Sequence, residues 1–151
     1  MGVGETVGRA VHQWRLTNDR EPHIYHLLPI GYSPIDYGAT IFCGRNMVER
    51  REVLGRVAEL YLVIEGGPGT EYEAEVALSK GATVVPVGRS GGYSRILYDD
   101  MPIPHGLSAE DWTTLGADGV SLNELARAVE SIMSVFLADG NWPRDRRRTQ
   151  P

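Results

Sequence analysis

The stretch from Leu60 to Val87 constrains the fold of this chain more than any other. Leu60-Tyr61-Leu62-Val63-Ile64 is β-branched and aromatic without interruption, and Thr83-Val84-Val85-Pro86-Val87 has the same character. Continuous apolarity of this kind suits strands covered on both faces. Between them lie Gly66-Gly67-Pro68-Gly69 and a helical stretch from Thr70 to Lys80, which Gly81 ends. Strand, glycine loop, helix and strand make a crossover unit, which joins parallel strands and is right-handed in nearly all cases. The expected fold class is therefore α/β with a parallel sheet.

The rest of the chain continues the alternation. A first helix is expected over 4–16, with Val7, Val11 and Trp14 on one face. A strand over 23–30 follows, then a loop rich in Tyr, Pro and Gly over 32–39 and a minor extended piece, Thr40-Ile41-Phe42. The second helix is expected over 45–58, with Met47, Val48, Leu54, Val57 and Ala58 as its apolar positions. Beyond Val87, a second glycine loop over 88–92 leads to a short helix, a Pro/Gly stretch over 101–106 and a final helix from Leu122 to Ala138. Ser121 and Glu124 form a capping box at its start. A length of 151 residues fits one domain, expected over 1–138, with a flexible Arg-rich tail over 139–151.

Charge narrows the partners. The net charge is −5, and the tail Arg144-Asp145-Arg146-Arg147-Arg148 carries +3 of its own, which leaves the body at −8. A body that acidic is a poor match for a phosphate backbone, so nucleic acid is not an expected partner. No apolar run is long enough to span a membrane, and the N-terminus lacks the basic start and apolar core of a secretory signal. The single cysteine, Cys43, cannot close an internal disulfide and reads as a small core residue, which makes the cytoplasm the expected compartment. His12, His23, His26 and His105 show no ligand spacing, and no metal site is expected.

Glycine is enriched, with 18 of 151 residues, and the enrichment falls in loops. A glycine loop after a strand lets the backbone turn sharply and approach a ligand. The helix that follows points its N–H groups and positive dipole end into the same crevice, which favours phosphate. Ligands of open parallel sheets bind beyond the carboxyl ends of the strands, where both glycine loops fall. Gly66, Gly67, Gly69 and Thr70 are thus candidate phosphate-binding residues, and Arg89 and Ser90 of the second loop are candidate contacts to phosphate or base. The plainer reading makes Thr70 and Glu73 a capping box on a tight turn. Arg45-Asn46 could touch a ligand or simply open the second helix, and Tyr32 and Tyr37 could stack on a base. Trp112 and Trp142 read as packing or oligomer contacts.

Gly66-Gly67-Pro68-Gly69-Thr70-Glu71-Tyr72-Glu73 is similar to the GGxGTxxE motif of the Lonely Guy (LOG) family, whose members are often misnamed lysine decarboxylases. Met47-Val48-Glu49-Arg50-Arg51 resembles that family's MxxRK segment, and Gly2, Gly4 and Gly8 resemble the remains of an earlier glycine loop. The wider superfamily includes DNA-processing protein A and the N-terminal region of melastatin-type TRP channels, whose version Val63-Ile64-Glu65-Gly66-Gly67-Pro68-Gly69-Thr70 resembles most. The likeness runs over residues 2–100 and implies a Rossmann-like three-layer fold, with a parallel sheet between two layers of helices. It also implies hydrolysis, without a cofactor, of the N-glycosidic bond of a nucleoside 5'-monophosphate. A cytokinin nucleotide or AMP would give free base and ribose 5-phosphate.

Carried over by residue, the catalytic pair is Arg50 and Glu73, with Arg51 among the nucleotide contacts. The chemistry is coherent: a carboxylate stabilises the positive charge that builds on the ribose, and a guanidinium fork binds its oxygens or the phosphate. Three positions depart from the family pattern. Glu65 stands where the motif has proline, Arg51 stands where it has lysine, and the family's first strand is missing from the reading. An edge left by that strand would need cover, which makes a homo-oligomer the expectation. The same crevice could instead hold a nucleotide or an NAD-derived signal without turnover, or survive as an inactive subunit that acts by assembly.

Overall fold

A computed structural model describes residues 2–20 and 23–138; the Arg-rich tail and Trp142 lie outside the described residues. The chain divides into two compact units, Met1–Val57 and Ala58–Pro151. Both are built of helices and short parallel strand pairs, so the fold class is α/β.

In the first unit, helix α1 (Val3–Thr17) precedes strands β1 (Tyr25–Leu28) and β2 (Ala39–Phe42), which pair in parallel from Tyr25 opposite Ala39 to Leu28 opposite Phe42. Tyr37, in the link between the strands, is buried and organises the unit. Its hydroxyl donates to the Glu5 carbonyl (2.9 Å), its ring meets His26 edge-on at 4.6 Å, and the Arg9 guanidinium lies 4.7 Å over the ring. Arg9 also pairs with Asp36 (3.1 Å). Gly8 faces the Tyr37 hydroxyl so closely that a Cβ there would stand 2.9 Å from it. Glu5, Gly8, Arg9 and His12 recur at helical spacing on the side turned to Tyr37. Val7, Val11 and Trp14 fall on the opposite side and are exposed, at 46%, 43% and 54%. Periodicity finds this helix but not which of its faces is covered.

Helix α2 (Met47–Leu54) is shorter than the 45–58 expected. Asn46 caps it, its side chain accepting from the Val48 and Glu49 amides (3.0 Å each), and Gly55 ends it. Val57 and Ala58 therefore lie beyond the helix.

The second unit begins with β3 (Leu60–Ile64), followed by α3 (Pro68–Ser79) and β4 (Thr83–Val87), and the strands pair in parallel from Leu60 opposite Thr83 to Ile64 opposite Val87. A 3-10 turn, Gly88–Ser90, leads to α4 (Gly92–Asp100), α5 (Ala109–Gly116) and α6 (Leu122–Ala138). Alternation along the strands feeds two cores. Val63 and Val84 pack with Ala74 and Ala77 of α3 and Leu97 of α4. Val85 and Val87 pack with Trp112 and Leu115 of α5 and Ala128 and Ile132 of α6. β4 is thus buried on both faces from Val84 to Val87, whereas in β3 only Val63 is buried and Leu62 is exposed, so the expected cover on both faces holds for β4 but not for the whole of β3.

The capping box of α6 forms as expected: the Glu124 carboxylate accepts from the Ser121 amide (2.7 Å), and Ser121 Oγ accepts from the Glu124 amide (3.2 Å). These bonds from Ser121 hold the Glu124 carboxyl below its usual range. Helix α5 is an element the sequence reading did not find. Ser108 caps it, and Trp112, which stacks on Tyr98 at 5.3 Å, makes it a core helix. Among the described residues no helix is long and apolar enough to cross a membrane.

Leu115 is fully buried between α6 and the sheet. Leu115→Ala is expected to lower the unfolding free energy by about 2–5 kcal/mol, the cost of a buried leucine and its cavity, in a urea titration. The exposed Val11→Ala on α1 is expected to cost less than about 0.5 kcal/mol.

Candidate functional site

The glycine loop after β3 is set by backbone contacts with the start of α4. Glu65 and Gly66 both take positive φ, 55° and 95°. Their carbonyls turn toward α4 and accept from the Ser94 (3.0 Å) and Tyr93 (2.9 Å) amides. Ser94, fully buried, donates its hydroxyl to the Val63 carbonyl (2.9 Å). Ser90 Oγ accepts from the Glu65 amide (2.7 Å) and donates to the Val87 carbonyl (2.6 Å). The two glycine loops are therefore hydrogen-bonded to each other at the carboxyl ends of β3 and β4.

This lacing explains the glycines at the junction. A side chain on Gly92 (φ 58°) would run into the Gly66 carbonyl oxygen, and one on Gly66 into the Thr70 side chain. Around Gly67 there is open space instead. Glu65 adopts the left-handed conformation with a full side chain, an arrangement that costs an L-residue about 1–2 kcal/mol.

Helix α3 starts earlier than expected. Gly67 is its N-cap and Pro68 occupies the first turn, a position proline favours because it has no amide to satisfy. Thr70 is thus already inside the helix, and the Thr70–Glu73 capping box does not form. No side chain caps α3. Its first intrahelical bond runs from the Glu71 amide to the Gly67 carbonyl (3.0 Å), so the Gly69 and Thr70 amides lie ahead of it at the positive end of the dipole. α1 and α4, which also start at glycines, likewise lack a side-chain cap, whereas α2, α5 and α6 are capped by Asn46, Ser108 and Ser121.

Gly66, Gly67, Gly69, Thr70 and Glu73 therefore share one loop and one helical turn, with Glu73 half-buried beside the buried Ala74. The surroundings are acidic: burial, and then Glu71, Glu75 and Asp100, push the Tyr93 phenol up. Arg50 and Arg51 belong to α2 in the first unit, both half-buried, where Arg50 Nε donates to the Leu27 carbonyl (2.8 Å).

Arg89 and Ser90 have structural partners. The Ser90 hydroxyl ties the two loops, and Arg89 Nη1 donates to the Val120 carbonyl (2.6 Å) ahead of α6. Arg45 forms an exposed ion pair with Glu49 (2.6 Å) and Asn46 is a cap, so both belong to the helix entry. The pair raises the Arg45 guanidinium and lowers the Glu49 carboxyl. Tyr37 is enclosed by its own unit, Tyr32 is exposed and Cys43 is half-buried. Ser94 is the residue that sequence reasoning missed. Its only sequence signal is its place after the Gly91-Gly92 pair.

No family model matches the chain, and no curated protein or solved structure is detectably similar to it.

The lacing predicts opposite behaviour at two neighbouring positions. Gly92→Ala is expected to cost more than about 1 kcal/mol, because it adds a backbone collision to a left-handed residue. Glu65→Gly is expected to stay within about 1 kcal/mol of wild type, since relief of strain offsets the added chain entropy. Thermal unfolding of the two variants checks both.

Proposed function

We propose that this protein binds a nucleoside 5'-monophosphate through a Rossmann-like three-layer domain of LOG type and hydrolyses its N-glycosidic bond. The observation that carries the reading is the start of α3: a helix without a side-chain cap, opened by Gly67, with the Gly69 and Thr70 amides at its positive end. In this account those amides and the Thr70 hydroxyl take the 5'-phosphate, as uncapped helix starts do, and Arg51 contributes charge. Glu73, one turn further on the same helix, faces the ribose and stabilises the positive charge that develops as the base departs. Arg50 orients the sugar or phosphate through its fork. The acidic surroundings of the loop suit an oxocarbenium-like transition state better than they suit a polyanion. Products are the free base and ribose 5-phosphate, and no cofactor is required. The exposed Val7, Val11 and Trp14 face supports self-association into a homodimer, and the lone Cys43 suits a reducing, cytoplasmic setting.

One observation favours a second reading, a binding module without turnover. Arg50 spends Nε on the Leu27 carbonyl, a structural bond within its own unit.

Incubation with AMP and with N6-isopentenyl-AMP, followed by chromatography for the free base, separates the two. Hydrolysis predicts base released by wild type and a rate lower by about 10²-fold or more in Glu73→Gln. A rise in Tm with nucleotide but no base identifies the binding module. Neither base nor shift contradicts both readings.

A further inference from the structure

The face of the β3–β4 sheet that carries α5 and α6 holds a cavity of about 520 Å³, well within the range of small-molecule sites. Leu62, Ile64 and Val87 form its floor and Leu122, Leu125 and Val129 of α6 its wall. It is open to solvent, and two of its leucines are unusually bare: Leu122 is 76% exposed and Leu62 is 40% exposed. Apolar surface gathered into a concavity, unlike leucines scattered singly, marks a place where something apolar binds.

The polar groups at this cavity are few and placed at its ends. Arg89 lines it, pinned by one N–H to the Val120 carbonyl (2.6 Å) immediately ahead of the α6 cap. That bond fixes the guanidinium at the positive end of the α6 dipole and leaves most of its donor fork for a ligand. Ser90 also lines the cavity, but its hydroxyl is already bonded to the Glu65 amide and the Val87 carbonyl. The nearby Glu124 carboxylate is turned back into the capping box with Ser121. Glu130 stands on the same helix eight positions beyond Leu122, about 12 Å along its axis, and no described cation pairs with it. The cavity is therefore cationic at one end, hydrocarbon through its length and anionic at the other.

We propose that this cavity binds a small amphipathic monocarboxylate, with its acid group on Arg89 and its hydrocarbon body between Leu62 and Ile64 of the sheet and Leu122, Leu125 and Val129 of α6. A planar guanidinium held at a helix N-terminus matches a carboxylate in shape as well as charge. The Glu130 end disfavours a second acid group, so a dicarboxylate fits worse than a monocarboxylate of the same length. A nucleobase fits worse still, because its edge carries donors and acceptors that these walls would leave unpaired. The site lies on the opposite face of the sheet from α3 and does not rest on the nucleotide reading.

Isothermal titration of the full chain with decanoate tests the proposal, with decylammonium and decanedioate as comparisons. Decanoate is expected to saturate one site, with decanedioate weaker and decylammonium not binding. Arg89→Gln is expected to weaken decanoate about tenfold or more, as loss of a charged hydrogen-bond donor does. Ala126→Trp, at an exposed position that lines the cavity, is expected to fill it and abolish binding while the circular dichroism spectrum stays unchanged. The proposal is overturned if decanoate shows no binding up to about 1 mM, if decylammonium binds as tightly, or if Ala126→Trp leaves decanoate binding intact. It is overturned equally if light scattering shows a dimer that Ala126→Trp dissociates and decanoate does not bind, for then a second copy of the chain covers this face.

Discussion

Two backbone carbonyls, those of Glu65 and Gly66, accept from the first amides of α4, and the geometry of the second unit around its sheet depends on that junction. The junction consumes the start of α4, whose Tyr93 and Ser94 amides are bonded to the loop, whereas no side chain caps the start of α3. It forces the left-handed backbone at Glu65, Gly66 and Gly92. Close approach of the two loops tolerates no side chain at Gly66 or Gly92. Two serines finish it from either side, Ser94 beneath the loop and Ser90 across it. What remains open at the carboxyl ends of the strands is the first turn of α3, with Gly67 and its uncapped amides. The glycine-rich segments thus do two different jobs: one set allows backbone to touch backbone, and Gly67 leaves space.

The two faces of the same short sheet are chemically unlike. On the α3 side, small residues, Ala74 and Ala77, let a helix approach the strands closely, and acidic side chains surround the loop. On the α6 side, Trp112, Leu115 and Ile132 fill the core at one end, while the bare Leu62 and Leu122 leave the cavity at the other. A sheet of two strands in this unit supports two environments because its alternating side chains belong to separate cores. The uncapped start of α3 and the hydrocarbon-lined cavity beside α6 therefore lie on opposite faces of the sheet.

What the sequence reveals here is set by the range of the forces involved. β3 and β4 are legible as unbroken apolar runs, though only β4 is buried on both faces, and α6 is legible because a capping box is a local motif. The start of α3 is displaced from its expected place because Pro68 reads as a loop residue until its place in the first helical turn is seen. α5 escapes because Trp112 and Leu115 are its only buried residues and a Pro/Gly stretch precedes it. The candidate phosphate residues Gly66 to Thr70 are legible as a glycine loop before a helix. The parts played by Ser90, Ser94 and Arg89 are not, because each bonds to backbone far away in sequence and leaves no periodic trace. The same holds for Tyr37, whose ring gathers Arg9, His12 and His26 and turns the apolar stripe of α1 outward.

Nucleotide binding as proposed requires the glycine loop to be a fixed cradle rather than a loose turn, since a preorganised set of amides can favour an anion without first being ordered. Native-state hydrogen exchange of the Tyr93 and Ser94 amides tests this most directly. If the two loops are laced through the Gly66 and Glu65 carbonyls, both amides exchange as slowly as those of the buried Val84 and Val85 on β4, within a few-fold. Exchange of Tyr93 and Ser94 at the rate of the exposed Gly106 loop would contradict the account.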